Sequence, residues 1–108
     1  MNLRNHLLRE AGKLASSQTA RRVRLFAEIA TLEIRPNISE ADAAELARMR
    51  EDVENCGQAL IRFGAYRPHQ GASPHCPYCW IVTGDATILA NGAQAETYHC
   101  ENCRREYP

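Results

Sequence analysis

Apolar residues recur at steps of three and four through the first two thirds of the chain, then give way to short runs broken by Gly, Pro and Cys. Leu3, Leu7, Leu8, Ala11, Leu14 and Ala15 share one helical face, which predicts an amphipathic helix over 3–15, slightly weakened by Gly12. Ser16-Ser17-Gln18-Thr19 either caps a new helix or is passed through as one polar turn of a longer helix, and a break or kink is the favoured reading. Helix is expected again over 19–34, where Val23, Leu25, Phe26, Ile29, Ala30 and Leu32 make a broad apolar face. Pro36 stops it, since proline lacks an N–H and restricts Arg35 before it to extended backbone.

The next helix has a clear start. Ser39 is a good N-cap, Glu40 and Asp42 place negative charge where the helix dipole favours it, and Ile38 can staple onto Ala43. Leu46, Met49, Val53, Cys56, Leu60 and Phe63 then alternate steps of three and four, as in a coiled-coil seam. The helix is expected to end at Phe63 or Gly64, with Pro68 preventing a restart. A short turn between the two long helices makes them antiparallel neighbours. Two wide apolar faces cannot both hide within one hairpin; the first helix, the C-terminal module or a second chain must cover the remainder, and dimerisation is favoured.

Residues 67–74, rich in Pro, Gly and small polar side chains, read as a linker. Beyond it, Trp80–Thr83 reads as a strand, Gly84-Asp85 as a turn, Ala86–Ala90 as a second strand, Asn91-Gly92 as a hairpin turn and 95–99 as a third strand. The expected fold class is α+β: a helical hairpin or small bundle over 1–66, a linker over 67–74 and a short antiparallel β module over 75–108.

Chemistry concentrates in that module. Cys76-Pro77-Tyr78-Cys79 is answered by Cys100-Glu101-Asn102-Cys103. A C-x-x-C loop turns both sulfurs to one side, and two such loops supply four ligands to a tetrahedral ion. Cys76, Cys79, Cys100 and Cys103 are therefore the candidate metal ligands, with one zinc per chain as the natural occupant. Four thiolates leave no open coordination position, so the expected role is structural. Zinc binding by small Cys-rich modules is worth roughly 10–16 kcal/mol, enough to help tip a segment this poor in apolar residues towards order. Rubredoxin-like iron, with electron transfer as the function, is the alternative occupant. His75 and His99 each precede a knuckle Cys and are read as exposed or outer-sphere rather than as ligands. Cys56, on the helical seam, is read as a small buried apolar residue.

The cysteine pattern, carried by Cys76, Pro77, Cys79, Cys100 and Cys103, resembles the zinc-ribbon family over the last third of the chain. Many zinc ribbons and rubredoxins place Gly after the second Cys of each knuckle, where this chain has Trp80 and Arg104. The family spans transcription factors, polymerase subunits, ribosomal proteins and metabolic enzymes, so the resemblance implies a fold more than an activity. The layout of helical hairpin followed by four-cysteine module is also similar to the DksA/TraR group, which inserts a coiled coil into RNA polymerase. No functional residue carries over, because the hairpin turn Arg35-Pro36-Asn37-Ile38 lacks that group's acidic tip.

The chain has 108 residues and no net formal charge, which removes any global excess pointing to nucleic acid or anionic membrane. The distribution is uneven: residues 1–38 carry seven basic and three acidic side chains, residues 39–60 two basic and six acidic. Complementary pairing of the two helices is the plainest reading. Arg21, Arg22 and Arg24, with Arg104 and Arg105, could meet phosphates, but solvated arginines are favoured since no aromatic stacking platform accompanies them. The start of the chain shows no signal-peptide pattern and no run long enough to cross a bilayer, which implies a cytoplasmic protein whose C-x-x-C pairs bind metal rather than form disulfides. No nucleophile with its base, phosphate loop or open metal site is visible. The expected function is that of a non-enzymatic adaptor or regulator, with helices that self-associate or bind a protein partner. Nucleic-acid or RNA-polymerase binding is the alternative.

Overall fold

The computed structural model describes residues 3–70, 73–92, 94 and 97–107. Its spine is an antiparallel pair of helices, α1 (Leu3–Glu33) and α2 (Glu40–Ala65). The molecule measures 59 × 21 × 19 Å, a rod with the cysteine module at one end. Two short strands, β1 (His69–Gln70) and β2 (Ser73–Pro74), form an antiparallel pair, and β3 (Ala90–Asn91), β4 (Tyr98–His99) and β5 (Glu106–Tyr107) form an antiparallel sheet in that order. The α+β class is as expected.

Several local expectations change. α1 does not break at Ser16–Thr19; it runs unbroken through all four residues. Thr19 turns its hydroxyl back onto the Ala15 carbonyl at 2.9 Å, so the polar side chain is satisfied inside the helix instead of ending it. α2 passes through Gly64 to Ala65 and ends at Tyr66 in extended backbone, so Gly64 serves as an ordinary helical residue rather than a left-handed stop. Its start is as the sequence predicts: Ser39 Oγ accepts from the Asp42 N–H at 3.0 Å.

The expected seam holds at Leu46, Met49 and Cys56 but then drifts. Ala59 is buried, whereas Phe63 is 37% exposed. An α-helix turns 3.6 residues per revolution, so a strict three-four seam rotates off its partner over two or three heptads. Beyond Cys56, moreover, α2 faces the C-terminal module as well as α1. Leu25, Ile29, Leu46, Met49 and Cys56 form the core of the outer hairpin. Ala11, Ala59, Tyr66 and Ile81 form a second cluster, which joins both helices to the module. The opposed charges pair as expected: Arg21 reaches Asp52 at 3.3 Å, Arg50 reaches Glu33 at 2.8 Å and Arg35 reaches Asp42 at 3.6 Å.

The module itself differs most from expectation. Trp80–Thr83 is not a strand; Cys79–Thr83 is a π-helical turn. Pro77 occupies the start of the helical stretch, where a missing N–H costs nothing, and the Trp80 N–H closes the turn onto the Cys76 carbonyl at 3.1 Å. The β-branched run Ile81-Val82-Thr83 suggested a strand, but this knuckle geometry wins. Gly84, at φ 83°, ends the turn in the left-handed region. The expected strand over Ala86–Ala90 reduces to a bridge between Ile88 and His75, followed by β3. Residues 67–74, read as a linker, hold the β1–β2 pair. Asn91 lies in β3 rather than in a turn, and Ala93, Ala95 and Glu96, where the hairpin tip and the start of the third expected strand fall, lie outside the described residues, as do Gly71 and Ala72.

Nothing lies within 4 Å of the position a Cβ would take on Gly12, inside α1. Gly12→Ala should therefore raise stability by about 0.5–1 kcal/mol by reducing the entropy of the unfolded chain. Thermal denaturation followed by circular dichroism checks this as an increase of a few degrees in Tm.

Candidate metal centre

The first knuckle is fixed from both sides. The Cys76 N–H donates to the Thr87 carbonyl at 2.9 Å, and the Leu89 N–H donates to the Pro74 carbonyl at 2.9 Å. The second knuckle hangs between β4 and β5, with the Cys100 N–H on the Arg105 carbonyl at 2.9 Å and the Arg104 N–H on the Cys100 carbonyl at 2.8 Å. These two supports bring the four sulfurs of Cys76, Cys79, Cys100 and Cys103 within 4.8 Å of one another. The closest approaches cross between the knuckles: 3.6 Å for Cys76–Cys103 and 3.5 Å for Cys79–Cys100. A tetrahedral ion with metal–sulfur bonds near 2.3 Å requires sulfur–sulfur edges of about 3.8 Å. The cluster therefore fits one tetrahedral metal ion, and all four cysteines are free thiols.

The chain after each knuckle solves the missing-glycine problem in its own way. Arg104 adopts the left-handed conformation, at φ 66°, where glycine is usual. Trp80 instead enters the π-helical turn and needs no positive φ.

Neighbouring groups are ready to hold sulfur in its charged form. The Asn102 side-chain amide donates to Cys79 Sγ at 3.4 Å, and the Tyr107 hydroxyl lies 3.3 Å from Cys76 Sγ, where it can donate to a thiolate. Burial pushes the Cys76 thiol well above its ordinary pKa; the adjacent Cys103 and Cys100 add to the rise, while the Cys79 backbone amide and Tyr107 oppose it. Tyr107 is likewise raised, by burial first and then by Cys76. Cys76 without metal is thus a neutral thiol at physiological pH, and an ion must displace its proton to bind there.

The site is dry beneath. Leu7 of α1, Leu89 and Tyr107 pack against Cys76, Cys79 and Cys100. Full burial of Leu7 contributes about 1.5–3 kcal/mol. Above, the Arg105 guanidinium sits 3.6 Å from the centroid of the Tyr78 ring.

A second set of contacts ties the first knuckle to the end of α2. Arg62 donates from Nε to the Ile81 carbonyl at 2.9 Å and from Nη2 to the Val82 carbonyl at 3.1 Å, while Trp80 Nε1 donates back to the Arg62 carbonyl at 3.1 Å. The Tyr66 hydroxyl donates to the His75 carbonyl at 2.7 Å. The two Arg62 bonds place a cation on the carbonyls of Ile81 and Val82 at the end of the π-helical turn, which a helix C-terminus favours.

All four cysteines named from spacing come together. His75 and His99 stay out of the sulfur cluster; His75 is buried with its ring against Trp80 at 5.3 Å. Cys56 is buried in the hairpin core, as expected. Spacing alone did not identify Asn102, Tyr107 or Leu7. Asn102 lies inside the second knuckle and was the one recognisable signal; the other two act through tertiary contacts. In comparisons with known proteins, the chain matches no family model, no curated protein and no solved structure.

Titration of the metal-free chain with zinc should show one site per chain, and Cys100→Ser should abolish stoichiometric binding. Because the metal competes with protons for Cys76, affinity should fall as the pH is lowered; a chromophoric chelator competed across pH 5–8 checks the sign. Arg104→Gly should stabilise the module by about 1 kcal/mol by removing the left-handed cost, seen as a higher midpoint in denaturant.

Proposed function

We propose that this chain is a non-enzymatic adaptor or regulatory protein in which Cys76, Cys79, Cys100 and Cys103 hold one structural zinc ion and the helical hairpin engages a macromolecular partner, either a second copy or another protein. The observation that carries this reading is the closed sulfur set: Cys76, Cys79 and Cys100 have no exposed surface, and four sulfurs fill a tetrahedral ion, leaving no position for substrate. The zinc would lock the knuckles against α1 and α2, so the metal acts on the partner surface only by holding its base.

The hairpin supplies the candidate surface. Val23, Phe26 and Ile61 are 65%, 50% and 67% exposed, and Ile34 at the tip is 82% exposed. These exposed apolar side chains are the ones a partner on the hairpin would cover. The alternative of nucleic-acid binding has less support, because Arg21, Arg35 and Arg50 are each paired with an acidic residue within the hairpin.

Native mass spectrometry of the freshly purified chain should find one zinc and no iron, and removal of that zinc should abolish complex formation by the hairpin. A coloured iron-loaded protein, or a complex that forms equally well without metal, overturns this reading.

A further inference from the structure

Arg22 of α1 and, from α2, Arg50, Val53, Glu54, Gly57 and Ile61 are among the residues that line an open groove of about 510 Å³ along one side of the hairpin. The Arg22 guanidinium lies over Gly57, where a Cβ would sit 3.8 Å from Nη2, in ordinary van der Waals contact. Arg22 also covers the Phe26 ring, 5.4 Å from its centroid, and its Nε is buried with no hydrogen-bond acceptor. Glu54, across the groove, has no ion pair among the described residues, and neither does Arg22. Arg50 is neutralised by Glu33 at 2.8 Å, so the groove carries one unneutralised cation, Arg22, on its α1 side and one unneutralised anion, Glu54, on its α2 side, with Val53, Leu60 and Ile61 as its apolar lining.

We infer that this groove is a self-complementary interface through which two copies of the chain pair about a two-fold axis, each setting its Arg22 against Glu54 of the other and burying Phe26 and Ile61 between them. The inference rests on the proposed role of the hairpin as an interaction surface and names its occupant. A two-fold axis brings the same patch onto itself, so a basic edge and an acidic edge on one groove satisfy each other twice. A partner of a single charge sign could neutralise only one edge. Such a dimer would be a four-helix assembly, which covers the outer hairpin that the cysteine module does not reach.

Sedimentation of the zinc-loaded full-length chain tests this. The wild type should be dimeric at micromolar concentration. Arg22→Glu and Glu54→Arg should each weaken association by about tenfold or more, since each places like charges together twice. Glu54 is exposed and Arg22 is half-buried on the wall of an open groove, and neither belongs to a core cluster, so zinc content and helical circular dichroism should stay unchanged. The two variants mixed should form a heterodimer, because each then meets an opposite charge in the other. Ile61→Glu should also be monomeric. A wild-type chain that stays monomeric overturns the inference, as does a mixture of the two charge variants that fails to associate when the wild type dimerises. If that monomer still binds another protein through the hairpin, only the choice of a second copy fails; if it binds nothing, the wider adaptor reading fails with it.

Discussion

Bringing four sulfurs within 4.8 Å of one another in a dry pocket is the constraint on which the rest of this structure depends. Charged, the sulfurs would repel strongly in a low dielectric; neutral, they offer little cohesion beyond the packing of small apolar groups. A bound metal ion would resolve both problems, and the groups near the cluster fit that solution. Leu7 and Leu89 exclude water below it, while Asn102 and Tyr107 present hydrogens to sulfur. The strands are two residues each, too short to stand as a sheet without such a centre.

The two helices are part of the same construction. Arg62 and Trp80 exchange hydrogen bonds between the end of α2 and the first knuckle, and Tyr66 adds a third anchor. Ala11 and Ala59 allow both helices to approach Ile81 closely. The hydrophobic core therefore shifts along the rod, from a helix–helix seam at the outer end to a helix–module contact at the metal end. Position along the hairpin decides which environment each residue meets.

The long-period features were legible in the sequence because they rest on local rules. Ser39 caps α2, Pro36 separates the helices, and the opposed charges of the two helices pair. The four cysteines were legible for the same reason, since C-x-x-C spacing fixes sulfur direction within a few residues. What failed were segments where local preference competes with tertiary contact. Ser16–Thr19 has the chemistry of a cap, yet the helix runs through it, with the Thr19 hydroxyl satisfied by its back-bond to the Ala15 carbonyl. Ile81-Val82-Thr83 has strand chemistry, yet Pro77 and the knuckle impose a helical turn that buries Ile81 completely. The role of Leu7 was invisible because it is set by residues far away in the chain.

That distance has a kinetic meaning. Leu7 and Tyr107 belong to one cluster although about a hundred positions separate them, and closing so long a loop is slow relative to zipping up two neighbouring helices. During synthesis the hairpin can form early, but Leu7 meets its partners only after β5 has left the ribosome. The polypeptide thus passes through a stage with paired helices, an unfilled floor and unclaimed thiols, in which its chances of misassembly are greatest.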